Sequence, residues 1–436
     1  MCDTHSRRIL LRVATLFRFL LALGLTLAAS VAVRADNWPQ WRGPKNDGHS
    51  TEKGLPAAWS ESSHIVWNCP LPGSGASTPC IWGEHIFLTT QDSADLKLHA
   101  IGTDGKVKWS EILGVSAKKA YRNDEGNDAS ASCSTDGKHV FTFIGSGGVT
   151  AHDFEGKKVW GFDAQAKYGK FEIQFGIHQT PVLHKGRLYL SLLHRKAQLL
   201  VALDAATGNE IWKHARKSDG RGESPDVYAS PFIWEKGSDA LLISHGNDYC
   251  TAHNLETGEE VWRVTELNPK AKYNNHWRAV SSPLVTPDLI VVPSCKLGVT
   301  VAIDPSKVKG TVGPNATGEL WRLAKDTPDV PSPLLVGDIV YLMGEVGTLY
   351  AHEAATGKMI YEQRITNMRH RANPMFADGK IYLVGRDGVT VVVKPGREYE
   401  KLAENKLPDN FTASPATANG RIYLRGFKSL WAIGEK

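Results

Sequence analysis

Cysteine is scarce in this chain and badly spaced for any cysteine-based chemistry. The six cysteines include no Cys-x-x-Cys and no adjacent pair, so neither a zinc site nor a redox pair is indicated. Cys2 lies in the leader described below. The other five, Cys69, Cys80, Cys133, Cys250 and Cys295, are odd in number and show no disulfide framework. Most are expected to be buried in strands. A Cys69–Cys80 disulfide stays open, because both residues flank the start of the repeats. A long helical period is also missing after residue 35, which excludes a helical bundle. A nucleophile elbow is missing too, since Gly145-Ser146-Gly147-Gly148 reads as a glycine turn. No segment beyond residue 35 is apolar enough to span a bilayer.

An excess of charge is lacking as well. The formal net charge is +5, but residues 1–35 hold five Arg and one Asp. Without them 46 basic and 45 acidic residues remain. A surface so nearly neutral argues against electrostatic binding of nucleic acid.

Those first residues read as a signal peptide over 1–35. Arg7, Arg8, Arg12 and Arg18 precede an apolar stretch from Phe19 to Val33. Val33-Arg34-Ala35 then offers a small-residue cleavage site before Asp36. Ser6-Arg7-Arg8-Ile9-Leu10-Leu11-Arg12 also approximates a twin-arginine signal, so both the general and the twin-arginine export routes stay open. The expected address is the periplasm or cell envelope. No Cys stands at the cleavage site, so a lipid anchor is not supported.

The rest of the chain repeats itself. Ala202-Leu203-Asp204-Ala205-Ala206-Thr207-Gly208-Asn209-Glu210-Ile211-Trp212 matches residues 252–262 and 351–361, and degenerate forms close on Trp109, Trp160 and Trp321. Each unit is preceded by a Ser/Thr-Pro or Asn-Pro start, at Pro79, Pro181, Pro231, Pro283, Pro333, Pro374 and Pro415, with Ser134-Thr135 filling the gap after Pro79. Apolar and β-branched runs punctuated by Gly, Asp and Asn predict four short strands per unit. Four strands at roughly fifty residues predict a β-propeller blade.

The eight starts predict eight blades, with seven as the alternative. The last unit stops before its outer strand, and Ile65-Val66-Trp67 has the form of that missing strand. The fold expected is therefore all-β, an eight-bladed propeller of four-stranded antiparallel blades closed by an N-terminal strand. It spans 64–434, with an N-terminal extension over 36–63. Blade 283–321 carries an insertion from Pro305 to Ala316, and blade 371–400 has lost its Thr-Gly-Trp ending.

Gly precedes Trp by four residues at Gly105–Trp109, Gly156–Trp160, Gly208–Trp212 and Gly258–Trp262. Fixed spacing across a turn puts each Trp at one place on its outer strand. Trp67, Trp109, Trp160, Trp212, Trp262 and Trp321 are expected to dock between blades against the repeat's Ala and Gly. Burying ~200 Å² of ring contributes on the order of 4–5 kcal/mol as an upper bound. His152, His253 and His352 recur at a position where Leu203 and Ile303 also occur, which indicates packing and not metal binding.

The loops that run from each Trp into the next inner strand are expected on one face, around the central channel. They carry Arg122, Asp124, His178, Gln179, Tyr228, His276, Trp277, Arg278, Arg369, His370, Arg371 and Asn410. This mixture suits a ligand or partner surface. Guanidinium pairs with carboxylate and indole stacks on apolar faces, so an acidic or sugar-like group fits.

The motif Ala-x-Asp-x-x-Thr-Gly-x-x-x-Trp resembles the pyrrolo-quinoline quinone (PQQ)-like β-propeller repeat family over nearly all of 64–434. The start Asn37-Trp38-Pro39-Gln40-Trp41-Arg42-Gly43-Pro44 is similar to exported bacterial members. Similar propellers include quinone-dependent alcohol dehydrogenases and the propeller lipoprotein of the outer-membrane barrel-assembly machinery. The resemblance implies eight blades and export. For the dehydrogenases it further implies PQQ over the channel beside Ca²⁺, with a catalytic Asp and usually a vicinal Cys pair. This chain has no adjacent cysteines and no evident Glu/Asn/Asp calcium set. The lipoprotein's lipidated Cys is replaced by Asp36. The expectation is a monomeric, non-catalytic propeller, with no catalytic or metal residues and no cofactor, that binds a protein, peptide or glycan. The alternative is a PQQ- and calcium-dependent alcohol or sugar dehydrogenase.

Overall fold

Residues 37–116, 126–295 and 297–435 are described by the computed structural model of the chain. They form eight antiparallel sheets arranged as the blades of a propeller. Blade 1 runs Cys80–Trp82, His85–Asp92, Asp95–Gly102 and Val107–Val115. Blade 3 runs Val182–His184, Arg187–His194, Ala197–Asp204 and Glu210–Ala215. The remaining blades follow the same inner-to-outer order. The last one pairs Ala416–Ala418, Arg421–Arg425 and Ser429–Gly434, and takes its outer strand from Ile65–Pro70 at the other end of the chain. Trp67 pairs with Ala432 and Cys69 with Leu430. This pairing removes the open edge that an unfinished blade would present.

The recurring Gly and Trp meet between blades. A Cβ on Gly105 would lie 2.7 Å from the ring of Trp67, on Gly156 3.0 Å from Trp109, on Gly208 2.6 Å from Trp160, on Gly258 2.6 Å from Trp212, and on Gly357 2.8 Å from Trp321. Each ring thus lies flat on the Thr-Gly turn of the following blade, where any side chain would displace it. Each indole N–H donates to a carbonyl of that same turn: Trp67 to Thr103, Trp109 to Phe154, Trp160 to Ala205, Trp212 to Leu255 and Trp321 to Ala354, at 2.7–2.9 Å. Both requirements of a buried indole are met at one place.

Two blades depart from the pattern. Within the Pro305–Ala316 insertion, Gly310–Val312 adds a fifth, parallel strand beside Glu260–Val264. Val308 of the same insertion occupies the seat on Gly318, and Trp262 is buried in the apolar cluster beside it. In blade 7 the outer strand Glu400–Lys406 has no tryptophan. Trp59 of the N-terminal extension stacks on Tyr382 instead, at 6.3 Å between centroids, and its backbone N–H donates to Asn405 Oδ1 at 2.7 Å. Trp212 on Tyr189 and Trp67 on Tyr423 make the equivalent contacts at 6.0 and 5.8 Å.

The disulfide considered between Cys69 and Cys80 is not formed, and all five cysteines described are free and buried. The reason is position: Cys69 is on the outermost strand of the last blade, whereas Cys80 is on the innermost strand of the first.

Candidate functional site

The Ser/Thr-Pro starts do more than punctuate strands. At the head of each inner strand, a backbone N–H donates to the side-chain oxygen at the same position of the next blade. Thr78 donates to Ser132, Ser132 to Thr180, Thr180 to Ser230 and Ser230 to Ser282. Ser282 then donates to Ser332, Ser332 to Asn373, Asn373 to Ser414 and Ser414 back to Thr78. The distances are 2.6–3.1 Å, and the circle closes on itself after eight blades. The second member is Ser132-Cys133, two residues ahead of the Ser134-Thr135 strand.

Strands alternate in direction, so the loops from outer to inner strands share one face with the turns between the second and third strands. Together they make the mouth of the channel. A cavity of about 550 Å³ opens there, lined by Phe175, His178, Tyr228, His276, Trp277, Arg278, Leu297, Asp329, Glu345, Arg369, Arg371 and Thr412 among others. It narrows into a shaft of about 110 Å³ along the hydroxyl circle.

Of the residues expected at the mouth, His178, Tyr228, His276, Trp277, Arg278, Arg369 and Arg371 line this cavity together. His178 packs edge-on against Tyr228 at 5.7 Å, and the Tyr228 hydroxyl accepts the Phe175 N–H at 3.2 Å. Burial raises the Tyr228 phenol above its ordinary pKa, so it stays neutral. Arg278 lies over the Phe175 ring at 5.2 Å and bonds Glu223, and His276 is 3.5 Å from the same carboxylate. Arg371 approaches Glu345 at 3.3 Å and Asp329 at 3.7 Å, and Arg369 approaches Glu345 at 3.4 Å.

The cationic rim expected from the arginines is therefore balanced by carboxylates from neighbouring turns. Gln179 and His370 are buried struts. Gln179 Nε2 donates to the Val227 carbonyl at 2.6 Å, and His370 Nε2 is 3.1 Å from Thr366 Oγ1. Burial lowers His370 to about 4, so it is neutral at physiological pH. Asn410 is exposed on its loop, and it is Thr412 that reaches the cavity. Arg122 and Asp124 lie outside the described residues.

One shaft residue is one that the loop pattern does not point to. Trp41 lines the shaft. It is held there because residues 37–52 cross the opposite face of the ring. The Trp38 N–H donates to Ile81, and the Thr135 N–H to Pro39. Arg42 donates to the Pro333 carbonyl at 2.7 Å, and the Phe376 N–H donates to Gly48. Thr417 Oγ1 donates to Ser50 Oγ at 2.7 Å.

Among the described residues the mouth carboxylates are not grouped as a calcium site would need them. The mouth carboxylates Glu223, Glu345 and Asp329 face guanidinium groups. Among the described residues no group of three or more His, Cys, Asp or Glu is placed to hold a metal ion.

A family model described as outer membrane protein assembly factor BamB matches residues 145–312 and 308–396, more than half of the chain. The chain belongs to this family of PQQ-like propellers. The outer membrane protein assembly factor BamB of Burkholderia pseudomallei (strain K96243) is 22% identical over 341 residues, covering 76% of this chain and 81% of that protein. The quinohemoprotein alcohol dehydrogenase of Comamonas testosteroni is 30% identical over 118 residues, 25% of this chain and 15% of that enzyme.

Among solved structures, BamB from Moraxella catarrhalis matches with a TM-score of 0.59 at 14% identity, covering 84% of this chain and 96% of that one. A europium-containing methanol dehydrogenase matches with a TM-score of 0.66 at 12% identity, covering 90% of each. At such identities the structural likeness shows the propeller fold alone, which binding proteins and dehydrogenases share.

Proposed function

We propose that this propeller is exported and binds a protein partner of the cell envelope through its mouth, without catalysis. A peptide or a glycan would fit the same surface. The observation that carries the reading is the mouth itself. Trp277, Tyr228, His178 and Phe175 converge with three arginine–carboxylate groups on one open cavity. Aromatic anchors beside charge pairs suit a peptide carrying apolar and polar groups together. The match to an outer membrane protein assembly factor over 76% of this chain supports an assembly protein as the partner.

The test is recovery of partners from detergent-solubilised envelope by tagged protein. A Trp277→Ala/Arg371→Ala variant that keeps the wild-type melting transition is expected to lose them. Equal recovery by both proteins would refute the mouth as the binding face. The second reading, a quinone-dependent dehydrogenase, is supported by the 118-residue match to a quinohemoprotein alcohol dehydrogenase. Dye reduction by the wild type upon adding PQQ and Ca²⁺ would establish it and displace the first. Export predicts a mature terminus near Asp36. N-terminal sequencing of envelope-derived protein checks this, and an intact Met1 in the cytoplasm would contradict it.

A further inference from the structure

We propose that the shaft below the mouth binds a small monovalent anion, of halide size. This goes beyond the partner-binding reading and does not depend on it. A hydroxyl offers one O–H donor and two acceptor lone pairs. In the hydroxyl circle each oxygen spends a lone pair on the N–H of the preceding blade. The O–H groups of Thr78, Ser132, Thr180, Ser230 and Ser414 remain, all five residues line the shaft, and none of these groups donates to an acceptor among the described residues. Thr412 lines the same shaft, and its buried Oγ1 makes no hydrogen bond at all to the described protein.

Several buried donors therefore converge on one axis. An orphaned buried donor is costly, so the shaft favours a guest that accepts from several sides. An oxygen that already accepts an N–H is polarised, which strengthens its own O–H as a donor.

The sign of the guest follows from the lining. No Asp or Glu is among the shaft residues, and the Arg371 guanidinium stands at the top, within 3.3 Å of Glu345 and 3.7 Å of Asp329 at the mouth. A cation would use the remaining lone pairs, leave the O–H groups without acceptors and face that guanidinium. A halide accepts from every side and brings no donor that needs a partner. His178, Tyr228, Arg371 and Thr412 line both the shaft and the mouth cavity, so an ion can enter from the mouth. The volume of about 110 Å³ holds such an ion with accompanying water.

The probe is bromide. Crystals of the protein soaked in sodium bromide are expected to show an anomalous peak on the propeller axis, within hydrogen-bonding reach of the ring hydroxyls. In solution, bromide-81 line broadening is expected to saturate with one site per chain. Ser230→Asp keeps an oxygen to accept the Thr180 N–H while removing the O–H and adding negative charge. It is expected to weaken bromide binding by at least about tenfold. Thr412→Val leaves the circle's hydrogen bonds intact, and a several-fold loss is expected there. Absence of the peak and of saturable broadening in the wild type would overturn the proposal. So would a rubidium soak that fills the same position, or bromide affinity unchanged in both variants.

Discussion

The seat of the repeat tryptophans can be tested by adding one methyl group. Gly258 has φ of +76°, and a Cβ there would lie 2.6 Å from the ring of Trp212; Gly237 has φ of +63° with nothing within 4 Å. Alanine at either position adopts a left-handed backbone, at a cost of about 1–2 kcal/mol. Gly237→Ala should show that cost alone. Gly258→Ala should add overpacking of about 1–3 kcal/mol, because the ring is tied to that same turn by its hydrogen bond to the Leu255 carbonyl at 2.9 Å and also packs on Tyr189. The expected totals are about 1–2 and about 2–5 kcal/mol.

A double-mutant cycle isolates the contact. Trp212→Ala alone should cost about 3–5 kcal/mol through the cavity it leaves. In that background Gly258→Ala has nothing to strike, so its further cost should fall to the backbone value. Urea denaturation of the four proteins measures this. Costs for Gly258→Ala and Gly237→Ala that agree within about 0.5 kcal/mol would refute the seat, since overpacking of this kind exceeds that figure.

Ring closure predicts that a chain starting at Asn68, without Ile65–Trp67, loses its cooperative melting transition by circular dichroism; an unchanged transition would contradict closure by that strand. Burial lowers His245 and His253 to about 4, below the value near 6.5 of an unfolded histidine. The unfolded chain therefore takes up protons first. Stability is full above pH ~6.5 and falls towards pH 4 by about 1.4 kcal/mol per pH unit for each histidine, then levels off. Urea midpoints across that window measure the slope. His253→Leu, which copies Leu203 of a sister blade, should remove one histidine's share of it, and an unaltered slope would count against a neutral buried His253.

The blades were legible because each physical requirement recurs. A Gly under every ring and a turn before every Trp leave a period that no single blade could show. The mouth was legible in part for the same reason, since bulky polar residues precede each inner strand. What escaped has no period, or joins residues that local sequence cannot connect. Trp59 and Trp41 belong to a segment that occurs once, and their places over Tyr382 and along the shaft are set by docking over hundreds of residues. The hydroxyl circle joins side chains from different blades, so each Ser or Thr looked like strand punctuation. Recurrence of an oxygen before nearly every Pro could have revealed it. Polar identity likewise did not separate Arg371, at the mouth, from His370, which points into the core. Nor did it show that Glu345 and Asp329 meet the arginines from other blades.

The closing strand has a consequence in time. Ile65–Pro70 is among the first segments made, and its partner Ser429–Gly434 is among the last. At roughly 5–20 residues per second, the first waits on the order of 20–70 s for the second. Until then Val66 and Trp67 have no sheet to join and Ser429–Gly434 has no neighbour on that side. A chain whose Ser429–Gly434 strand is made but not yet met by Ile65–Pro70 is an open arc with two adhesive ends, and two such arcs could each complete the other. The meeting of its ends thus cannot precede the last strand, and a holding chaperone is expected to have most effect on its yield in the interval before they meet.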